Sequence, residues 1–314
     1  MNDKNIQILN TFTLDNIPDL DLAVLGALEL FQKEPLPKLS LDIYKRPLVV
    51  GSGNAEATGK IIFQDFDAIF ASESDYEAKL KAIENIDGVV LVSASGEKHA
   101  PIIAKTAKKY NKHVTLITNS RDSSANKELD HKHEYDEYIF PKNREPYTYN
   151  TSTYMGMILG YTGENPTEIY TFIQNQLSKV TFPDLARYDK FYLIVPPQFS
   201  GIIRMLEVKF IELFGRNIAR DVETSEYVPH ATTVAPSDEL FISFGYENKT
   251  WGKPENRLNI PLPENAKYGA MMAVGYYVVS QIQKQHKPYF KENIASYTEQ
   301  VAKIFGNTIN PIVE

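Results

Sequence analysis

The chain has 314 residues, 43% of them hydrophobic and 23% charged, enough to bury a sizeable core and long enough to suggest two domains or two lobes. Its 33 basic and 40 acidic side chains give a formal net charge of −7, which disfavours nonspecific binding to nucleic acid or to an anionic membrane, since both need a basic surface. Cysteine is absent, which excludes disulfides, thiolate metal ligands and thiol nucleophiles.

The first residues, Met1-Asn2-Asp3-Lys4-Asn5-Ile6, lack the basic start and apolar core of a signal peptide. No apolar span approaches the ~20 residues that cross a bilayer, so a cytoplasmic location is expected. Apolar spacing predicts a helix around Leu20 to Phe31. Arg46 to Ala57 read as strand, turn and helix, with Leu48-Val49-Val50 running into Gly51-Ser52-Gly53-Asn54. The same grammar returns where Val89-Val90-Leu91-Val92 runs into Ser93-Ala94-Ser95-Gly96 and then the helical spacing of Ala100 to Tyr110. Val114 to Thr118 gives a third strand ending in Asn119-Ser120, and Tyr135 to Phe140 a fourth. Asn150 to Tyr161 reads as a buried helix, Pro166 opens another to about Ser178, and Thr181 to Lys190 reads as a linker.

A second half begins with the apolar run Phe191 to Val195, closed by Pro196-Pro197, then Gly201 and a helix over Ile202 to Leu213. Strands at Glu239 to Phe244 and Arg257 to Leu262 and an apolar helix from Lys267 to Ile282 follow. Strands alternating with helices imply an α/β fold with parallel sheets covered by helices. The expected organisation is a helical leader over 1–45, one domain over 46–180, and a second over 181–314 that includes C-terminal helices.

The turn Ser93-Ala94-Ser95-Gly96 carries the most information about a ligand. Amides left free at a helix start, the helix dipole and two hydroxyls favour an anion, and glycine permits close approach. A phosphorylated small molecule is the ligand class this suggests; serines that merely cap the following helix are the alternative. Nucleotide motifs fail on single residues. Gly51-Ser52-Gly53 is followed by Glu56 where a dinucleotide fingerprint needs glycine, and Thr58 stands where a Walker loop would need one. His131 and His133, with Asp130, Glu134 and Asp136, form a charged stretch that reads as a surface loop rather than a metal site.

Taken together, Gly51-Ser52-Gly53-Asn54 and Ser93-Ala94-Ser95-Gly96, each closing a strand about forty residues apart, with Ile117-Thr118-Asn119-Ser120 following, resemble the SIS (sugar isomerase) family. The resemblance extends over roughly residues 46 to 282 as two tandem halves. It is greatest to bifunctional phosphoglucose/phosphomannose isomerases and to the isomerase domain of glucosamine-6-phosphate synthase. It implies a Rossmann-like sandwich with a five-stranded parallel sheet in each half, a sugar phosphate bound where the strands end, no cofactor, and a homodimer. Carried across, Ser52, Gly53 and Asn54 would line the sugar side of the pocket, while Ser93, Ser95 and Gly96 would hold the phosphate. Lys98 stands where the family usually has threonine; its ammonium is itself a phosphate partner.

Aldose–ketose isomerisation needs a base that moves a proton between the carbons beside the carbonyl, and a group that opens the ring. Glutamate and histidine suit these tasks because both can be tuned towards neutral pH. By resemblance Glu226 is the base and His230 the ring-opening group, with Glu223 or Glu212 as alternatives for the base. Glu145, in the loop Lys142 to Tyr147, is expected to position rather than to transfer a proton. The implied function is a phosphosugar isomerase. The alternatives are a noncatalytic phosphosugar-binding protein and a fructosamine-phosphate deglycase or deaminase.

Overall fold

The computed structural model describes residues 3–129, 135–306 and 308–314. In chain order the helices and strands are α1 (Lys4–Thr11), α2 (Leu20–Lys33), β1 (Pro47–Val50), α3 (Asn54–Ile62), β2 (Ile69–Ala71), α4 (Tyr76–Ala82), β3 (Gly88–Val92), α5 (Ala100–Lys109), β4 (His113–Thr118), α6 (Ser124–Glu128), β5 (Tyr135–Ile139), β6 (Glu145–Pro146), α7 (Thr151–Thr162) and α8 (Pro166–Asn175). They continue with β7 (Lys190–Val195), α9 (Ile203–Phe214), β8 (Ala219–Thr224), α10 (Val228–Ala231), β9 (Leu240–Phe244), β10 (Arg257–Ile260), α11 (Tyr268–Gln285), α12 (Tyr289–Phe305) and β11 (Ile312–Val313).

Two compact units result. One comprises Glu34–Lys142 and Thr153–Gly163, the other Met1–Lys33, Asn143–Ser152 and Glu164–Glu314. The first contains a parallel five-stranded sheet in the order β2-β1-β3-β4-β5. Its inner strands are buried because helices cover both faces: every residue of β1 and β3 is buried, and so is every residue of β4 after His113, Thr115 and Thr118 included. Leu48, Val50, Val89, Leu91 and Leu116 pack with Ile103, Ala104 and Ala107 of α5 to form one side of this core.

The second unit holds a parallel four-stranded sheet in the order β10-β9-β7-β8. The α/β class and the repeated order of elements stand as expected, with one correction: five strands are implied for each half, and the second sheet has four. The reason lies after β10, where Pro261 and Pro263 supply no amide for a further ladder and the chain passes directly into α11. Tyr135–Ile139 is likewise the fifth strand of its sheet rather than the fourth, because the three-residue edge strand β2 precedes it. Among the described residues no helix is long and apolar enough to cross a membrane.

Candidate functional site

In an open parallel sheet, ligands collect outside the carboxyl ends of the strands where the strand order reverses. In the first sheet that reversal falls between β1 and β3, whose turns are the two that the sequence singles out. The β1 turn ends in Gly53, which caps α3 without a side chain, so the amides of that helix start have no side-chain acceptor there. Ser52 and Gly53 are exposed. Asn54 is half-buried, and its Oδ1 is shut from solvent with no hydrogen-bond partner.

The β3 turn is more elaborate than its sequence suggests. Gly96 N–H donates to Ser93 Oγ at 3.2 Å and Glu97 N–H to Ser95 Oγ at 3.3 Å, so both serines brace the turn while keeping hydroxyl protons to give. The Ala94 carbonyl accepts from Asn119 N–H at 2.9 Å and from the Thr118 hydroxyl at 3.1 Å, fastening the turn to the end of β4. Gly96 has φ +66°, and a Cβ there would lie within 2.5 Å of Ser123 Oγ, so glycine is required on two grounds. The turn does not pass directly into the helix. Glu97, Lys98 and His99 intervene, and α5 begins at Ala100.

This changes which groups can hold an anion. Ala100 N–H is spent on the Glu97 carbonyl at 3.1 Å and Pro101 has no amide, so two of the donors expected from a helix start are withdrawn. The remaining side-chain donors are the Ser93 and Ser95 hydroxyls and the exposed Lys98 ammonium. Lys98 has φ +54°, a conformation in which a β-branched threonine is strained, which is a physical reason for lysine at this position. Glu97 accepts from Ser124 N–H at 2.9 Å, and hydrogen bonding from Ser124 holds its carboxyl below the usual range. At the end of β4, Asn119 Nδ2 donates to the Phe140 carbonyl at 3.0 Å, while its Oδ1 is buried without a partner. Two unsatisfied amide oxygens, Asn54 Oδ1 at the start of α3 and Asn119 Oδ1 just after β4, thus follow the strands on either side of β3 and suit a ligand rich in hydroxyl donors.

The proposed acid–base residues belong to the second unit. Glu226 and His230 follow β8, the edge strand of the four-stranded sheet, and both are exposed. The His230 amide donates to the Tyr227 carbonyl at 2.8 Å, and its ring meets the Tyr227 ring edge-on at 6.3 Å. Glu226 has no side-chain hydrogen bond among the described residues. Glu223, half-buried on β8, is pushed up by burial, then by repulsion from Glu207 and Asp221. Glu207, one turn into the helix that leaves the central strand β7, is absent from the sequence reading; that position in α9 is the signal that would have found it. Glu212 lies farther along α9, where its Oε2 accepts from the buried Lys209 ammonium at 2.8 Å.

Glu145 is buried and accepts from the amides of Thr151 at 2.6 Å and Ser152 at 2.7 Å, so its carboxylate caps the start of α7, a positioning task. His99 is the exposed N-cap residue of α5 and makes no side-chain cap bond. His131 and His133 lie outside the described residues, and among those described no cluster of three or more His, Asp or Glu could hold a metal ion.

No family model matches the sequence, and no curated protein does either. Solved structures are similar in fold. Glucosamine-6-phosphate deaminase from Thermotoga maritima superimposes with a TM-score of 0.57 at 14% identity, over 84% of this chain and 93% of its own. Tagatose-6-phosphate ketose/aldose isomerase from Escherichia coli gives 0.56 at 11% identity, over 91% and 94%. The C-terminal domain of glucosamine-fructose-6-phosphate aminotransferase from Francisella tularensis gives 0.54 at 12% identity, over 87% and 97%. Superposition over 84–91% of this chain and 93–97% of these proteins shows that its two parallel sheets and flanking helices share their fold.

Proposed function

We propose that the chain is a phosphosugar isomerase that interconverts aldose and ketose sugar phosphates of the glucose, mannose and fructose 6-phosphate type. The observation that carries this reading is the pairing of the Gly51–Asn54 and Ser93–Gly96 turns at the reversal point of the first sheet, flanked by two buried, unsatisfied amide oxygens. Hydroxyls of Ser93 and Ser95 with the Lys98 ammonium suit a phosphate, and Ser52, Gly53 and Asn54 suit the sugar hydroxyls. The likeness in fold to a tagatose-6-phosphate ketose/aldose isomerase supports the same class.

In this reading His230 assists ring opening and Glu226 takes the proton from C2 of the open aldose. An enediol forms as O1 is protonated; the proton returns at C1 as O2 gives up its own and becomes the ketose carbonyl. No electrons enter or leave the sugar. Incubation of the full chain with fructose 6-phosphate is expected to yield glucose or mannose 6-phosphate. Glu226→Gln is expected to reduce turnover by about a hundredfold or more, the scale of general-base catalysis. A loss confined to Glu223→Gln would move the base to Glu223, whose environment already raises its carboxyl.

A second reading, a noncatalytic phosphosugar-binding protein, is favoured by one observation: Glu226 and His230 are both exposed, and no hydrogen bond among the described residues orients Glu226. It predicts thermal stabilisation by fructose 6-phosphate, rising as RT ln(1 + [L]/Kd), without turnover. A homodimer belongs to the proposal on resemblance, and its mass in solution is the direct check.

A further inference from the structure

Within the second unit, α9, α12 and the loop between β6 and α7 enclose a cavity of about 260 Å³ that the sugar reaction does not use. Helix α9 starts at Ile203 near the carboxyl edge of its sheet, and Glu212, which lines the cavity, lies roughly 13 Å farther along the axis. Three features describe what the cavity accepts. Its walls are apolar and partly open: Ile211, Tyr289 and Tyr297 are 41%, 36% and 47% exposed. Its charge is a single carboxylate with a free oxygen: Glu212 Oε2 is bound to Lys209, and Oε1 has no hydrogen bond among the described residues. Lys209 cannot serve that oxygen as well, because its ammonium already donates to the carbonyls of Thr148 and Tyr149, each at 2.8 Å.

The third feature is Thr148. Its Oγ1 is shut from solvent without a partner, and its φ of +77° is unfavourable for a β-branched residue. The bond from Lys209 to its carbonyl holds it in that conformation against the cavity. Among the described residues no lysine, arginine or histidine lines the cavity, so a phosphate or carboxylate would meet Glu212 without a neutralising charge, and an anion is disfavoured. An ammonium has three donors, one of them for Glu212 Oε1, and the aromatic lining of Tyr289, Phe290 and Tyr297 attracts it further. At ~30 Å³ per liquid-like heavy atom, the volume holds about nine non-hydrogen atoms.

We propose that this cavity binds a small organic ammonium ion with an apolar body, at a site separate from that of the sugar. Burial pushes the Glu212 carboxyl upwards against the pull of Lys209, the behaviour of a carboxylate that a second cation would relieve.

The test is calorimetric titration of the full chain with phenethylamine, and with 2-phenylethanol as a neutral control of similar shape. Saturable one-to-one binding of the amine is expected, with the alcohol at least about tenfold weaker. Because Glu212→Gln leaves Lys209 buried without its carboxylate, Ile211→Trp carries the test: it fills the cavity from a position already part-exposed, and amine binding is expected to vanish while stabilisation by fructose 6-phosphate persists. Absence of saturable amine binding, equal affinity for the alcohol, or unchanged binding in a folded Ile211→Trp protein would each overturn the proposal. None of these outcomes bears on the isomerase reading.

Discussion

Both sheets put their first strand inside, the second on one flank and the third and fourth on the other, yet the turns leaving those strands differ in what they can give a ligand. After β1 and β3 the chain offers Gly51-Ser52-Gly53 and Ser93-Ala94-Ser95-Gly96, turns that carry hydroxyls, the first leading into a helix start with no side-chain cap. After β7 and β9, the corresponding strands of the second sheet, it offers Pro196-Pro197 and Gly245-Tyr246-Glu247. Prolines have no amide to donate and Glu247 repels an anion. One backbone plan thus appears twice, with hydroxyl-bearing turns in one copy and carboxylates gathered near the edge of the other, where Glu207 and Asp221 repel Glu223. Strand order places a crevice, whereas turn composition decides what it can hold.

The contrast is most sharply broken at the two glycines. Gly96→Ala combines a left-handed backbone with a clash against Ser123 and is expected to cost about 3 kcal/mol in urea denaturation and to remove phosphosugar binding. Gly245→Ala, at φ +73° and with Leu262 Cδ1 at 3.1 Å, meets only a movable side-chain tip and is expected to cost about 1–2 kcal/mol, with binding of fructose 6-phosphate retained. Equal effects on binding would mean that the anion is not held by the first sheet alone.

A finer division separates binding from chemistry. Ser93→Ala is expected to weaken fructose 6-phosphate binding about tenfold, the scale of one hydrogen bond to a charged group. Glu226→Gln is expected to leave the same affinity within about twofold while turnover falls. Titration calorimetry on both variants distinguishes the two roles, and a large affinity loss in Glu226→Gln with intact Ser93→Ala binding would reverse the assignment.

The smallest effects are in the pH dependence of stability, and they have opposite signs in the two regions. Glu97 is held below the usual carboxylate range by Ser124, so it contributes stability that is present above the unfolded-state range and lost as pH falls through its folded value. Glu223 is held above that range by burial, so the native state retains its proton longer than the unfolded chain and stability declines as pH rises through the shifted window. Melting curves from about pH 2 to about pH 8 are therefore expected to show Glu97→Gln less stable than the parent at the upper end, with the difference closing on acidification below the ordinary carboxylate range. Glu223→Gln is expected to gain slightly at the upper end and to match the parent at the lower.

Legibility in the sequence followed burial. β1, β3, β4, β7 and β9 read directly because helices on both faces make them largely apolar runs, broken only by Thr115 in β4 and Ser243 in β9, and the serine and glycine turns read because those residue types suit tight turns at a strand end. β2 was illegible: three residues at a sheet edge, only one of them buried, leave no periodicity. Glu212 and Glu226 looked interchangeable along the chain, but the fold pairs one with a fully buried lysine and leaves the other exposed.

By itself, then, the sequence determined the α/β class, the doubled order of elements and the two serine- and glycine-bearing turns at strand ends, since these depend on local periodicity and on the few residues that tolerate tight turns. Tertiary structure alone decided that Ser93 and Ser95 brace their own turn, that Pro101 and the Glu97 carbonyl withdraw amides from the helix start, and that Asn54 Oδ1 and Asn119 Oδ1 are left wanting donors. It also decided that Lys209, Glu212 and Thr148 meet around a separate cavity. Hydrogen-bond partners and burial depend on segments far apart in the chain, and no local pattern encodes which of them will meet.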